Sequence, residues 1–119
     1  MKKRKSAACT AARLVEHRAA VTRADADFVD AVARADALFD RYDRAYDIAT
    51  GTEMRNFRRP SVANAARVAR AGARSDLAYE RLVSAEAEAK AASSRSLAAR
   101  AAARDAGCVV PIFTRVRNK

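Results

Sequence analysis

Metal-binding and turn-forming residues are scarce in this 119-residue chain, which has three glycines, two prolines, two cysteines, one histidine and no tryptophan. A zinc site needs about four Cys or His ligands at suitable spacing. Cys9, His17 and Cys108 do not supply them, and no Cys-x-x-Cys motif is present. We therefore expect no metal and no cofactor, and we expect the two thiols to be buried or idle.

The motifs that accompany catalysis are absent as well. The sequence has no phosphate-binding glycine loop, no dinucleotide-binding glycine motif, no zinc-protease motif and no nucleophile elbow. Its aspartates are interleaved with arginines and have no partner His or Glu cluster, which argues against paired-carboxylate chemistry or metal binding. We expect a protein that is not an enzyme and that has no small-molecule substrate.

Long hydrophobic runs are also missing, so no membrane-spanning segment is expected. The start of the chain has the charged head of a lipoprotein signal, but only three small residues separate that head from Cys9. We predict a cytoplasmic location or one within a viral particle. A nuclear location is the alternative, because the short basic run Lys2, Lys3, Arg4 and Lys5 is typical of import signals.

Alanine supplies most of the hydrophobic half of the sequence, and alanine has the highest helix propensity of any residue. The few glycines and prolines predict an all-α, coiled-coil-like antiparallel hairpin. The predicted segments are a basic N-terminal tail at 1–6, a hairpin at 7–106 and an extended C-terminal arm at 107–119. Within the hairpin we place helix one at about 7–49, a loop at 50–60 and helix two at about 61–106.

Apolar residues of helix one recur every seven residues, with companions four positions later, which is the spacing of a coiled-coil seam. Arg18 and Asp25 interrupt the companion series. The corresponding face of helix two is weaker because small residues dominate it. The predicted seam of helix one is Leu14, Val21, Phe28, Val32, Phe39, Tyr42 and Tyr46.

The last segment has no alanine and is rich in β-branched residues. Pro111 excludes a central strand. The segment is therefore either an edge strand or arm that binds a partner, or a tail that packs back on the hairpin, and the sequence leaves both open. The arm residues we expect to contact a partner are Val109, Val110, Ile112 and Phe113.

The chain carries 24 basic and 14 acidic residues, for a net charge of +10. Such a surplus favours nucleic acid or an acidic protein as partner, although the Arg- and Ala-rich composition of a GC-rich genome would also produce it. Basic residues concentrate near both termini, which an antiparallel hairpin brings to one end. The expected contacts with nucleic acid or an acidic partner are Lys2, Lys3, Arg4, Lys5, Arg13, Arg18, Arg115, Arg117 and Lys119.

A second basic stripe runs along helix two at helical spacing. Antiparallel pairing would set Asp47 opposite Arg67 and Asp40 opposite Arg74, as in interhelical charge matching. If helix two instead buries its apolar residues, the stripe faces solvent, nucleic acid or the acidic residues of another copy. The stripe consists of Arg67, Arg70, Arg74 and Arg81.

These features predict a small basic structural or assembly protein that docks into a larger complex, such as a virion or phage particle, through its helical seam and C-terminal arm. The expected partner is another protein or a second copy, with nucleic acid as a further partner. One alternative is a regulator or chromatin-like protein that binds DNA or RNA directly. Another is an inhibitor or adaptor that binds a single protein.

Overall fold

In the computed structural model, which describes residues 8–110, the chain forms two long α-helices and no strand within that range. Helix α1 spans Ala11–Arg58, and helix α2 spans Val62–Asp105. They pack against each other as an antiparallel hairpin, so the predicted fold class is confirmed. The N-terminal tail and most of the C-terminal arm lie outside the described residues.

Hydroxyl side chains cap the start of both helices. The Thr10 Oγ1 accepts a hydrogen bond from the Arg13 backbone N–H at 3.2 Å, and the Ser61 Oγ accepts one from the Asn64 N–H at 3.0 Å. These bonds satisfy backbone donors that have no partner inside the helix. Helix one therefore begins at Ala11 rather than at the predicted residue 7.

The loop predicted at 50–60 is mostly helical, which corrects the sequence interpretation. Helix α1 continues through Gly51 to Arg58, and only Arg59, Pro60 and Ser61 connect it to α2. A single glycine costs a helix about 1 kcal/mol relative to alanine, which the neighbouring turns offset. The helix ends near Pro60 because the residue before a proline is sterically disfavoured in the helical conformation.

A glycine turn ends α2. Gly107 has a φ of 76°, and the Cys108 N–H donates to the Ala103 carbonyl at 2.9 Å, which is the pattern of a Schellman cap. This turn directs Cys108 inward, and its side chain is buried. Beyond it, Val109 is 86% exposed while Val110 is half-buried, so the two described arm valines differ in their surroundings.

The chain divides into two compact units. The terminal unit combines the described residues 8–30 and 90–110, and the connecting unit runs over 31–89. In the terminal unit the interior consists of Val21 and small residues of α2 such as Ala92 and Ala103. Predicted seam residues Leu14 and Phe28 are half-buried at its margin.

The connecting unit also has an interior built largely from alanine. Its buried side chains are Ala31, Ala35 and Ala49 of α1, and Ala71, Ser75, Leu82 and Ala85 of α2. Small side chains at the seam let two helices approach closely but bury little apolar area per residue.

The prediction that Phe39 and Tyr46 belong to the buried seam is wrong, because their side chains are 52% and 53% exposed. The series at intervals of seven is correct, because Val21 is buried and Leu14, Phe28 and Tyr42 are half-buried. Its companions, however, lie three residues later rather than four, at positions that alanine mostly occupies. Leu38 is the largest of these apolar companions, and Val32 is a half-buried neighbour of the seam.

Candidate interaction surfaces

A shallow groove runs along one side of the seam in the connecting unit. Its floor contains Leu38 of α1 and Leu77 of α2, and Leu77 is 46% exposed. Arginines from both helices form its walls: Arg34, Arg41, Arg74 and Arg81. Glu80 and Glu88 line the groove beside Arg81. The groove therefore joins an apolar floor to arginine walls.

The groove belongs to a larger basic surface, which we call the arginine face. Helical geometry places nine of the ten arginines of residues 31–89 on this side of the seam, and all nine are exposed. Within residues 8–110, Arg41, Arg74 and Arg81 have no carboxylate at ion-pair distance. The nine are Arg34, Arg41, Arg44, Arg55, Arg58, Arg67, Arg70, Arg74 and Arg81.

The arginine stripe predicted on α2 is therefore only half of this surface. Arg74 lies beside Arg41 of α1 in the groove, and not opposite Asp40 as charge matching between the helices would require. The seam found in the structure places Asp40 and Asp47 on the outer side of α1, where both are exposed. The expected pairs are absent because the companion positions of the seam lie three residues after the first series, and not four as predicted.

Aromatic side chains cluster on the other side of the seam. The Tyr42 ring lies 5.4 Å from that of Tyr79 across the hairpin and 6.0 Å from that of Tyr46, measured between centroids. These distances are typical of favourable aromatic pairs. Phe39, Tyr46 and Tyr79 each remain about half exposed, and Val83 is 45% exposed. An apolar patch is thus open to solvent here.

Carboxylates surround this aromatic patch, and together they form what we call the acidic–aromatic face. Helical geometry places five acidic residues on this side and none of the arginines of the connecting unit. All five are exposed. The face consists of Phe39, Tyr46, Tyr79 and Val83 with Asp36, Asp43, Glu53, Asp76 and Glu86. The connecting unit therefore separates most of its charges by face, and Glu80 and Glu88 are the carboxylates that line the arginine-walled groove.

A polar contact joins the helices of the terminal unit. The Asp25 carboxylate accepts hydrogen bonds from the Ser96 hydroxyl and from an Arg100 Nη, each at 2.5 Å. The side chains of Asp25 and Arg100 are 24% and 19% exposed. Asp25 interrupts the predicted seam, and the structure explains its presence, because it meets a buried hydroxyl and a cation from α2.

The two cysteines form a disulfide in the terminal unit, with their Cα atoms 5.0 Å apart. The expectation that the thiols are buried or idle is therefore only partly correct: Cys108 is buried, but the two cysteines are bonded, because the antiparallel hairpin brings them together. The bond closes a loop with a sequence separation of 99 residues.

The predicted partner-contact residues are only partly described. Arg13 and Arg18 are exposed on the first turns of α1. The sequence interpretation did not single out the residues near the helix connection, where Met54, Phe57 and Val62 are at least half exposed. The other predicted partner-contact and arm residues lie outside the described residues: Lys2, Lys3, Arg4, Lys5, Ile112, Phe113, Arg115, Arg117 and Lys119.

Within residues 8–110, no group of three or more His, Cys, Asp or Glu side chains is placed to hold a metal ion. In the same range, neither helix has an apolar stretch long enough to cross a lipid bilayer. No protein-family model, curated protein or solved structure matches this chain. Its surfaces are therefore the basis for a functional proposal.

Proposed function

We propose that this chain is a small non-enzymatic assembly protein that docks into a larger complex, such as a virion or phage particle. One observation supports the proposal above the others. Among residues 8–110, seven of the ten buried hydrophobic residues are alanines, whereas thirteen large apolar side chains are at least 45% exposed. The hairpin therefore leaves most of its large apolar groups for contact with something else.

Burial of these exposed side chains in a complex would release a considerable free energy. Burial of a Phe or Leu side chain contributes roughly 1.5–3 kcal/mol, and contiguous exposed apolar patches mark interaction sites in soluble proteins. Phe39, Tyr46, Tyr79 and Val83 lie together on the acidic–aromatic face, and Phe57 and Val62 lie near the helix connection. Docking would use these flanking residues together with the arm, because the seam itself is occupied within the hairpin.

The disulfide bears on where such a complex would reside. Disulfides persist in oxidising compartments and on virion and cell surfaces, and they are rare in the cytosol and nucleus. The Cys9–Cys108 bond thus favours a particle that leaves the reducing cytoplasm over a cytoplasmic or nuclear location. Mass spectrometry can measure the fraction of Cys9 and Cys108 that is disulfide-bonded in producing cells and in released particles. The proposal expects the bonded fraction to be higher in the particles.

Direct binding of DNA or RNA is the second candidate, and the arginine face favours it. Nine exposed arginines on one side of a hairpin resemble the basic stripes of nucleic-acid-binding proteins. Affinity for nucleic acid must then fall steeply with salt, because each neutralised phosphate releases counterions. A filter-binding titration at two salt concentrations tests this candidate, and weak or salt-insensitive binding would eliminate it.

Gradient sedimentation of the chain from its source cells tests the assembly proposal. We expect it in fractions far heavier than the 12.9 kDa of one copy, both before and after nuclease treatment. A shift to light fractions after nuclease would favour the nucleic-acid candidate. A chain that sediments as a single copy without nuclease, or as a one-to-one complex with one protein, would contradict assembly; the latter result is expected of an inhibitor or adaptor.

A further inference from the structure

We propose that copies of this chain bind one another through their connecting units, with the arginine face of one copy against the acidic–aromatic face of the next. The inference rests on the proposed assembly function and identifies a second copy as the partner. It is carried by the complementary charge of the two faces, which lie on opposite sides of one seam in a unit whose residues are all described.

The separation of charge in this unit exceeds what helix stability requires. Exposed ion pairs within a helix would favour carboxylates close to the arginines along the same stripe. Instead, Arg41, Arg74 and Arg81 have no carboxylate at ion-pair distance within residues 8–110. Their charges are thus available to a second molecule, and a complementary row of carboxylates occurs on the same protein.

The two rows also match in spacing. Arg74 and Arg81 are seven residues apart on α2, and Asp36 and Asp43 are seven residues apart on α1. At a rise of 1.5 Å per residue, each pair spans about 10.5 Å along its helix. Two helices laid side by side can therefore bring both pairs together at once.

Apolar groups lie between the charges on both faces, as in the core and rim of a protein interface. On the arginine face Leu77 is 46% exposed at the groove floor. On the acidic–aromatic face Phe39, Tyr46 and Tyr79 are exposed to a similar degree. Contact between the faces would bury these residues while pairing the arginines with carboxylates around them.

Nucleic acid fits this arrangement less well than a second copy does. Phosphates would engage the arginine face alone, and bases stacked on Tyr46 or Tyr79 would bring their phosphates toward the carboxylates of Asp43 and Asp76. A second copy uses both faces. Because the two faces differ, the contact is heterologous, and each copy added leaves one face of each kind open, which produces a ring or a filament.

Sedimentation of the purified full-length oxidised chain over a concentration series tests the inference. We expect species of more than two copies at low salt and weaker association at high salt, because the contact is strongly charged. Arg74→Glu with Arg81→Glu, or Asp36→Arg with Asp43→Arg, gives the two facing pairs of residues the same sign of charge where the copies would meet. Each double variant should weaken association at least a hundredfold, the scale expected when like charges are brought together.

Matched controls carry the same change of charge in the terminal unit. Arg23→Glu with Arg104→Glu matches the arginine variant, and Asp27→Arg with Asp30→Arg matches the aspartate variant; all four residues are exposed. Both controls should associate like the unchanged chain. Far-ultraviolet circular dichroism of every variant establishes that the hairpin is intact.

Mixing the two face variants gives the sharpest outcome. One variant then has acidic residues at both facing pairs, 74/81 and 36/43, and the other has basic residues at both, so neither should associate alone and an equimolar mixture should. A chain that stays single at low salt, face variants that associate as well as the controls, or a mixture that stays single would each overturn the inference. Association of the purified chain only when DNA or RNA is added would also overturn it.

These results are independent of the sedimentation test on source cells. A chain that is found in a large complex there, but stays single when purified, would leave the assembly function standing and remove the self-association. A purified chain that associates through these faces, but is found as a single copy in its source cells, would support the self-association and contradict the assembly function.

Discussion

Removal of the Cys9–Cys108 disulfide is expected to lower the free energy of unfolding by up to about 4–5 kcal/mol. A cross-link stabilises a protein mainly by restricting its unfolded chain, and the chain-entropy model gives about 4.7 kcal/mol for a loop of about 100 residues. The sequence separation here is 99 residues. Residual helix in the unfolded chain would reduce the effect, so the figure is an upper bound.

A loss of this size is large for this fold. Domains of ordinary size are stable by about 5–15 kcal/mol, and an interior built mainly from alanine places the hairpin toward the low end of that range. We expect the reduced chain to unfold at a far lower urea concentration than the oxidised chain. Since the bond joins the residue before the Thr10 cap to the residue after the Gly107 turn, fraying should begin at these two helix ends.

Urea unfolding followed by circular dichroism, at one protein concentration, measures the effect. The oxidised chain, the same chain with reductant and the variant Cys9→Ser with Cys108→Ser should be compared. The variant should unfold like the reduced chain, and reductant should not change its midpoint. Equal midpoints for the oxidised and reduced chains would refute the reasoning, because no restriction of the unfolded chain would then be detectable.

Three further predictions concern single positions. Asp25→Ala should cost about 1.5–3 kcal/mol in urea unfolding, because Arg100 loses a charge-assisted hydrogen bond where both side chains are largely buried, and an unchanged midpoint would contradict this. Leu38→Asp should lower the melting temperature much more than Phe39→Asp, since the first is at the seam and the second is half exposed; the reverse order would restore the seam predicted from sequence. Gly51→Ala should stabilise the hairpin by about 0.5–1 kcal/mol in the same urea assay, since Gly51 is helical and an added Cβ meets nothing within 4 Å.

The fold was predictable because its main signals are local. Alanine abundance and the rarity of glycine and proline predict two long helices, and antiparallel pairing then brings Cys9 near Cys108. The break at Pro60 is a steric signal of the same kind. The predicted loop began near Gly51, and this was wrong because a single glycine lowers helix stability only slightly and does not by itself end a helix.

The phase of the seam was not predictable from hydrophobicity. Phe39 and Tyr46 lie four residues after Ala35 and Tyr42. Their side chains are larger and more apolar than those of Ala31 and Ala45, which occupy the seam positions three residues after Phe28 and Tyr42. In most coiled coils the larger apolar residue marks the buried position. Here helices in close contact exclude large side chains from several seam positions, so the aromatic residues lie beside the seam instead. The surfaces depend on this phase, and the arginine and acidic–aromatic faces become visible only once it is known.

The thin interior and the exposed faces therefore have one cause. Alanine at the seam reduces the apolar area that the two helices bury, and it leaves the larger residues on the flanks, where Leu77 lies beside arginines and Tyr79 packs on Tyr42. A seam of Leu and Val would have stabilised an independent hairpin. Here the disulfide stabilises the terminal unit, and the proposed contact between copies would stabilise the connecting unit, so loss of the bond and reversal of face charge should affect stability and association separately.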